Sequence, residues 1–251
     1  MAIPTPRSPA VNRVVSLVEW AGIALWFLMV PLTAFVLLRQ GLALGWLALL
    51  VLPALLLGAL IADFASGLGH FLADNFFAVD TPVLGHLFIY RFRQHHEDQT
   101  IICQADFRET NGALCLLSLP AVVGGYLLLG GAPSLWALLV AGVMLAFGIL
   151  GGMTNQMHRW AHDRQRPPLV RWMQRWGLAL NPRHHSVHHA RPHHEHFCIA
   201  LGAMDPLMER FAVWHRLANL MRALRAPQAE ESVMGDARAT ERAQWSRPQA
   251  Q

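Results

Sequence analysis

Fourteen of the 251 residues are histidine, and most stand in short interrupted runs. Neutral imidazole is a common protein ligand for iron, zinc and copper, so these runs are where chemistry should be sought. The densest is Asn181-Pro182-Arg183-His184-His185-Ser186-Val187-His188-His189-Ala190-Arg191-Pro192-His193. Asn181 predicts a helix N-cap, Pro182 the first helical position, and Pro192 a limit at the other end. On the short helix between them, His185, His188 and His189 stand at i, i+3 and i+4 and share one face. Such a density of imidazole is costly to bury unless something ligates it. His158 and His162 form a second pair at i, i+4, the spacing of helical metal sites. Arg159 follows His158 where a zinc protease of the HExxH type needs glutamate. Asp63, Gly67, His70 and Asp74 recur at i, i+4, i+7 and i+11 and so share a helical face. His95 and His96 are adjacent. Directions about 100° apart let both serve one cluster only if it lies between them. Taken singly, each pair also reads as polar residues at a solvated or interfacial helix end. Together, at least eight imidazoles exceed the needs of one tetrahedral ion and fit two metals better.

The elements that must position these groups are apolar. Hydrophobic residues make up 54% of the chain and charged ones only 14%, against about 25% in an ordinary soluble domain. Mean hydropathy is +0.31. The expected fold class is an all-α integral membrane protein of about four transmembrane helices, whose cytoplasmic extensions carry the histidines. The spans fall at about 20–38, 41–62, 113–129 and 135–153. Arg39-Gln40 predicts one tight turn, and Gly130-Gly131-Ala132-Pro133-Ser134 another. Glu19 is expected to snorkel to the interface. The 20–38 run is long for a signal peptide and reads as a retained anchor. Short turns put the N-terminus, the 63–111 segment and everything after Thr154 on one side. That side carries all the arginines except Arg39, and there is no lysine. The positive-inside bias makes it cytoplasmic. Residues 1–13 then form a cytoplasmic segment, 14–225 the membrane domain, and 226–251 a tail whose composition predicts disorder. Three widely spaced cysteines support neither a disulfide framework nor a zinc ribbon, and no basic soluble domain suggests nucleic acid.

In chain order, Ser66-Gly67-Leu68-Gly69-His70, Phe92-Arg93-Gln94-His95-His96, Asp106-Phe107-Arg108-Glu109-Thr110-Asn111-Gly112 and Thr154-Asn155-Gln156-Met157-His158-Arg159-Trp160-Ala161-His162 form a series of motifs. His184-His185-Ser186-Val187-His188-His189, Pro192-His193 and Phe197-Cys198-Ile199 complete it. The series resembles the Kua/CarF-type plasmanylethanolamine desaturases, to which the plastid trans-3 fatty acid desaturases are related, over about 63–220. That resemblance implies a multi-pass lipid desaturase with a histidine-ligated di-iron centre. It would take O2 as co-substrate, two electrons from a small cytochrome- or ferredoxin-type carrier, and a phospholipid whose 1-O-alkyl chain becomes a vinyl ether. Motif position gives ligand roles to His70, His95, His96, His158, His162, His185, His188 and His189. His184, His193, Asp74 and Asp106 are candidates for further ligation or for orienting the ligands. Arg91, Arg93, Arg159 and Arg183 are candidates to meet the lipid headgroup.

Two positions depart from the pattern: Ala105 stands where histidine is expected before Asp106, and Gln99 where proline is expected after Asp98. His86, His194, His196 and His215 match no motif. A fatty-acyl desaturase or a lipid hydroxylase on the same scaffold fits the same residues. From another class, so does a membrane metal-binding or transport protein, although a transport path wants polar residues inside the spans. The location would be the inner membrane of a bacterium, or the endoplasmic reticulum of a eukaryote.

Overall fold

The computed structural model describes residues 9–79, 81, 85 and 89–224; His86 and the 226–251 tail lie outside them. Among the described residues there are nine α-helices and no β-strand. Helix α1, Pro9–Leu44, runs through Arg39 and Gln40 without a turn. The reversal comes instead at Gly45, whose φ of +59° suits a residue without Cβ, and continues as a 3-10 turn over Gly45–Leu50. The Gln40 side chain reaches across the bundle, its amide donating to the carbonyls of Leu129 and Gly131 at 2.9 and 3.1 Å. Helix α2 is Val51–Asn75, α4 is Phe107–Leu128 and α5 is Leu135–His162. The expected break at 130–134 separates α4 from α5. Short helices fill the histidine end: α3 (Tyr90–Glu97), α6 (Pro168–Arg175), α7 (Pro182–His188), α8 (Asp205–Arg210) and α9 (Val213–Ala223).

Among the described residues, three stretches are long and apolar enough to cross a membrane: Asn12–Asn75, Phe107–Leu128 and Leu135–His162. The expected spans at 20–38, 41–62 and 135–153 fall inside these stretches, and that at 113–129 ends one residue past Leu128. The chain reverses within the first stretch, at Gly45. Trp26 faces Gly148 and Gly152 on α5, whereas Val51 faces Gly142 and Gly58 faces Val143, so α1 runs against α5 and α2 runs with it. Helix α1 also runs beside α4, with Gly22 on Leu116 and Gln40 at Leu129. The C-terminal end of α2, the start of α4 and the end of α5 therefore meet at one end of the bundle.

Glycines permit the close approaches. A Cβ on Gly58 would lie 2.2 Å from the Val143 carbonyl oxygen, and one on Gly152 would lie 2.6 Å from Trp26 Nε1. Helices in such contact gain dispersion over their whole length, which suits an apolar solvent where burial offers little. Glu19 does not snorkel: it is buried and ion-paired with Arg108 at the start of α4.

Candidate metal centre

The histidine end is built by helix extension and by one strap. Helix α5 continues past the expected span to His162, which places His158 and His162 one turn apart on one face. Asn181 caps α7 by accepting from Arg183 N at 2.8 Å, and Pro182 takes the first helical position, as the residue types predict. The strap is Phe197–Met204. Asp63 on α2 accepts from the backbone N–H groups of Leu201, Gly202 and Met204 at 2.7, 3.1 and 2.9 Å. Ser66 accepts from Ile199 N at 3.0 Å. Phe197, Cys198, Ile199 and Ala200 are all fully buried behind these bonds.

Between the helix ends and the strap, the histidines fall into two sets. Ligand atoms of His95, His158, His162, His185 and His189 lie within 4.8 Å of one another, and so do those of His70, Asp74, His96 and His188. All eight histidines singled out by motif position are brought together, and Asp74 joins them. Adjacent residues divide between the sets: His95 and His96 go one to each, as do His188 and His189. The 100° divergence of helical neighbours thus serves two centres side by side.

The donor set fits metal. Nε2 of His185 lies 2.9 Å from Nε2 of His158 and 3.0 Å from that of His162, and the latter two are 3.3 Å apart. Three nitrogens in mutual contact cannot all be donor–acceptor pairs, since at least two must carry the same role. A metal holding nitrogen at about 2.1 Å would set its ligands about 3.0–3.4 Å apart, which is close to this spacing. Neither ring nitrogen of the buried His95 makes a well-aligned hydrogen bond, nor does Asp74 Oδ1, while Asp74 Oδ2 faces the Nε2 atoms of His70, His96 and His188 at 3.2, 3.5 and 3.5 Å. In the second set two outer nitrogens are held by backbone carbonyls. His188 Nδ1 meets the Glu195 carbonyl at 2.8 Å and His70 Nδ1 meets that of Phe197 at 3.2 Å, which turns each Nε2 inward. Burial, reinforced by neighbouring imidazoles, pushes His95, His96, His185 and His189 well below the usual histidine range. They are therefore held neutral, the form that binds metal.

Other candidates lie elsewhere. Asp106 joins neither set: it is the N-cap of α4, accepting from Glu109 N at 2.7 Å and facing Arg108. His184 also stands apart, bonded through Nε2 to Asp205 at 2.7 Å and stacked on His196. His193 sits at the margin, its ring 4.9 Å from that of His96 and its Nδ1 2.9 Å from the His188 carbonyl. Two of the four headgroup arginines are occupied within the protein. Arg93 donates to the carbonyls of Ala73, Phe76 and Phe77, which closes the C-terminal end of α2. Arg159 donates to those of Cys103 and Ala105. Arg91 is half exposed beside Glu109, and Arg183 is exposed on α7. Asp205 escaped sequence reading because its role, joining His184 to the Cys198 N–H, depends on a strap that no local pattern announces.

A cavity of about 350 Å³ adjoins the second set. It lies among α2, α4 and α5 and has mostly apolar walls, with His70, Phe92 and Ile199 at its histidine end.

The sequence comparisons agree with this geometry. A family model described as the lipid desaturase domain matches residues 59–230. The chain belongs to the lipid desaturase domain family. A plasmanylethanolamine desaturase of Myxococcus xanthus is 39% identical over 175 residues, which cover 66% of this chain and 61% of that protein. Plasmanylethanolamine desaturase 1 of Mus musculus is 38% identical over 72% of this chain and 69% of its own length. The chloroplastic fatty acid desaturase 4 of Arabidopsis thaliana is 30% identical over 64% of this chain and 48% of its own. The chain thus spans a little over three fifths of the bacterial relative. No solved structure matches. The matched 59–230 region of this lipid desaturase domain holds every residue of both ligand sets.

Proposed function

We propose that this protein is a membrane lipid desaturase that converts the 1-O-alkyl chain of a plasmanylethanolamine into a vinyl ether. The observation that carries the reading is the pair of nested imidazole sets, one of which borders an apolar cavity through His70. The names of the bacterial and mouse relatives supply the substrate class. His95, His158, His162, His185 and His189 would hold one ion, and His70, Asp74, His96 and His188 the other. Iron is the metal that suits O2 chemistry with imidazole ligands. When bound, it supplies the oxidant needed to take hydrogen from an unactivated CH2 group. In balance, the chain loses two hydrogens, a small electron carrier gives two electrons, two protons enter, and O2 leaves as two waters.

The protein's own residues bind and orient. The Glu195 and Phe197 carbonyls hold His188 and His70 with Nε2 inward. The carboxylate of Asp74 offsets positive charge in a dry site. Burial of His70, His95, His158, His185 and His188 excludes water from the reacting region. The histidine end would face the cytoplasm, with the headgroup near exposed Arg91 and Arg183. A transport reading gains nothing from the bundle interior. Thr33 bonds the Val122 carbonyl within α4, Gln40 bonds the turn between α4 and α5, and Asn111 pairs with Gln156.

The test is lipid mass spectrometry of a host supplied with 1-O-alkylglycerol, with wild type and with His188→Ala. Acid-labile phospholipids two hydrogens lighter, absent from the variant, are expected. A new double bond in an acyl chain instead would move the protein to the fatty-acyl branch. No lipid change, together with zinc as the bound metal, would overturn the desaturase reading.

A further inference from the structure

Helices α2 and α4 both lean on α5 but make little contact with each other, and the cavity occupies the groove between them. Leu117 of α4 lines the groove and is 65% exposed, so one side of it is open to the surroundings. His70 borders the groove near the histidine end, where Phe77, Ile89 and Phe92 roof it. Toward the other end it runs along α2 as far as Ala62 and along α5 as far as Phe147. His158 is level with His70, their rings 5.6 Å apart. At a rise of about 1.5 Å per residue, Gly151 lies about 10 Å and Phe147 about 16 Å from that level. The groove is thus short above His70 and long below it. Its narrow, apolar, one-side-open form suits a single saturated hydrocarbon chain, inserted sideways from a bilayer with its attachment point toward the roof. Two walls are left without side chains. A Cβ on Gly69 would meet nothing within 4 Å, and one on Gly151 only the Ser118 Cβ, at 3.6 Å.

We propose that this groove seats the reacting lipid chain, that Phe147 is its floor, and that Gly151 together with Phe147 sets the chain length the protein accepts. This deepens the desaturase reading and rests on it for turnover. The Phe147 ring closes the lower end of the groove, and Gly151 leaves the lower half open. A larger residue at Gly151 fills that half without a steric clash against α4. A smaller one at Phe147 extends the groove.

The experiment feeds a graded series of saturated 1-O-alkylglycerols to a host expressing wild type, Gly151→Leu or Phe147→Ala, and reads the chain lengths of the vinyl ethers. Gly151→Leu should shift the profile to shorter chains and Phe147→Ala to longer ones. The change expected is about four-fold in product ratio per methylene gained or lost, the equivalent of about 0.8 kcal/mol per buried CH2. A shift to longer chains cannot come from misfolding. If wild type forms vinyl ethers and both variants keep its profile, the groove does not measure the chain. A second readout needs no turnover: a phospholipid with a diazirine near the end of its alkyl chain, photolysed on wild-type protein in membranes. Adducts between Phe147 and Gly151 support the seat even if no lipid is desaturated, which would count against the desaturase reading alone. Adducts confined to other segments overturn it.

Discussion

His95 is fully buried, and neither of its ring nitrogens makes a well-aligned hydrogen bond. A buried polar group left in that state costs about 1–3 kcal/mol, so ligation is the natural account of its place. Asp74 is its counterpart in the other set: Oδ1 makes no hydrogen bond and Oδ2 is crowded by three imidazole nitrogens. Asp74→Asn should therefore lower the metal content of the purified protein by about half, leaving the His158 set filled. Loss of all metal would mean one shared site. Elemental analysis against protein concentration decides. Glu209 offers a separate residue-scale test. Burial pushes its carboxyl up to about 7, from an ordinary value of 4.5, while it accepts from His196 N at 3.0 Å. The folded protein thus holds a proton that the unfolded chain releases. Stability from this group falls as pH rises from about 4.5 to about 7 and is level above. Glu209→Gln keeps the acceptor without the charge. Its melting temperature should equal that of wild type near pH 5 and exceed it above pH 7; a constant difference across that range would refute the assignment.

At the scale of elements, the contact between α2 and α5 is the one the metal sets depend on, since His70 and Asp74 come from α2 and His158 and His162 from α5. Gly58 is its closest point. Gly58→Ala puts a methyl against the Val143 carbonyl and should cost about 1–3 kcal/mol as the helices part. Gly131→Ala, where nothing lies within 4 Å, should cost under about 0.5 kcal/mol. Equal melting temperatures for the two variants would show that the helices yield freely. The ligand pairs are legible in sequence because they are local: i, i+4 on α5 and i, i+3, i+4 on α7 follow from helical periodicity. Arg93 and Arg159 mislead for the complementary reason. Both look like surface cations near a membrane, yet each closes loose carbonyls tens of residues away, and only the assembled end of the bundle supplies those acceptors. The turn expected at Arg39-Gln40 fails similarly, because Gln40 finds its partners on the α4–α5 turn.

For the whole molecule, the decisive matter is sidedness. Helices α1 and α5 run opposite ways, as do α4 and α5, and α2 runs with α5, so four rods alternate in direction. Two features then mark opposite ends. The 3-10 turn at Gly45–Leu50 and the break at 130–134 lie at one end, and both metal sets lie at the other. From the arginine distribution we propose that the histidine end faces the cytoplasm, where a soluble electron carrier would be at hand. The four-rod arrangement therefore predicts a simple pattern of access. Gly131 is exposed at the far end and Arg164 at the metal end. Of the native cysteines, Cys115 and Cys198 are buried and Cys103 is partly so. With Cys103 replaced by serine, Gly131→Cys in intact cells or sealed right-side-out vesicles should react with a membrane-impermeant maleimide. Arg164→Cys should react only after the membrane is opened. If both react from outside, Leu135–His162 does not separate the two ends across the membrane, and the histidine end would lose its cytoplasmic assignment. If the order is inverted, the positive-inside argument fails, although the metal sets and the groove, being internal to the bundle, are unaffected.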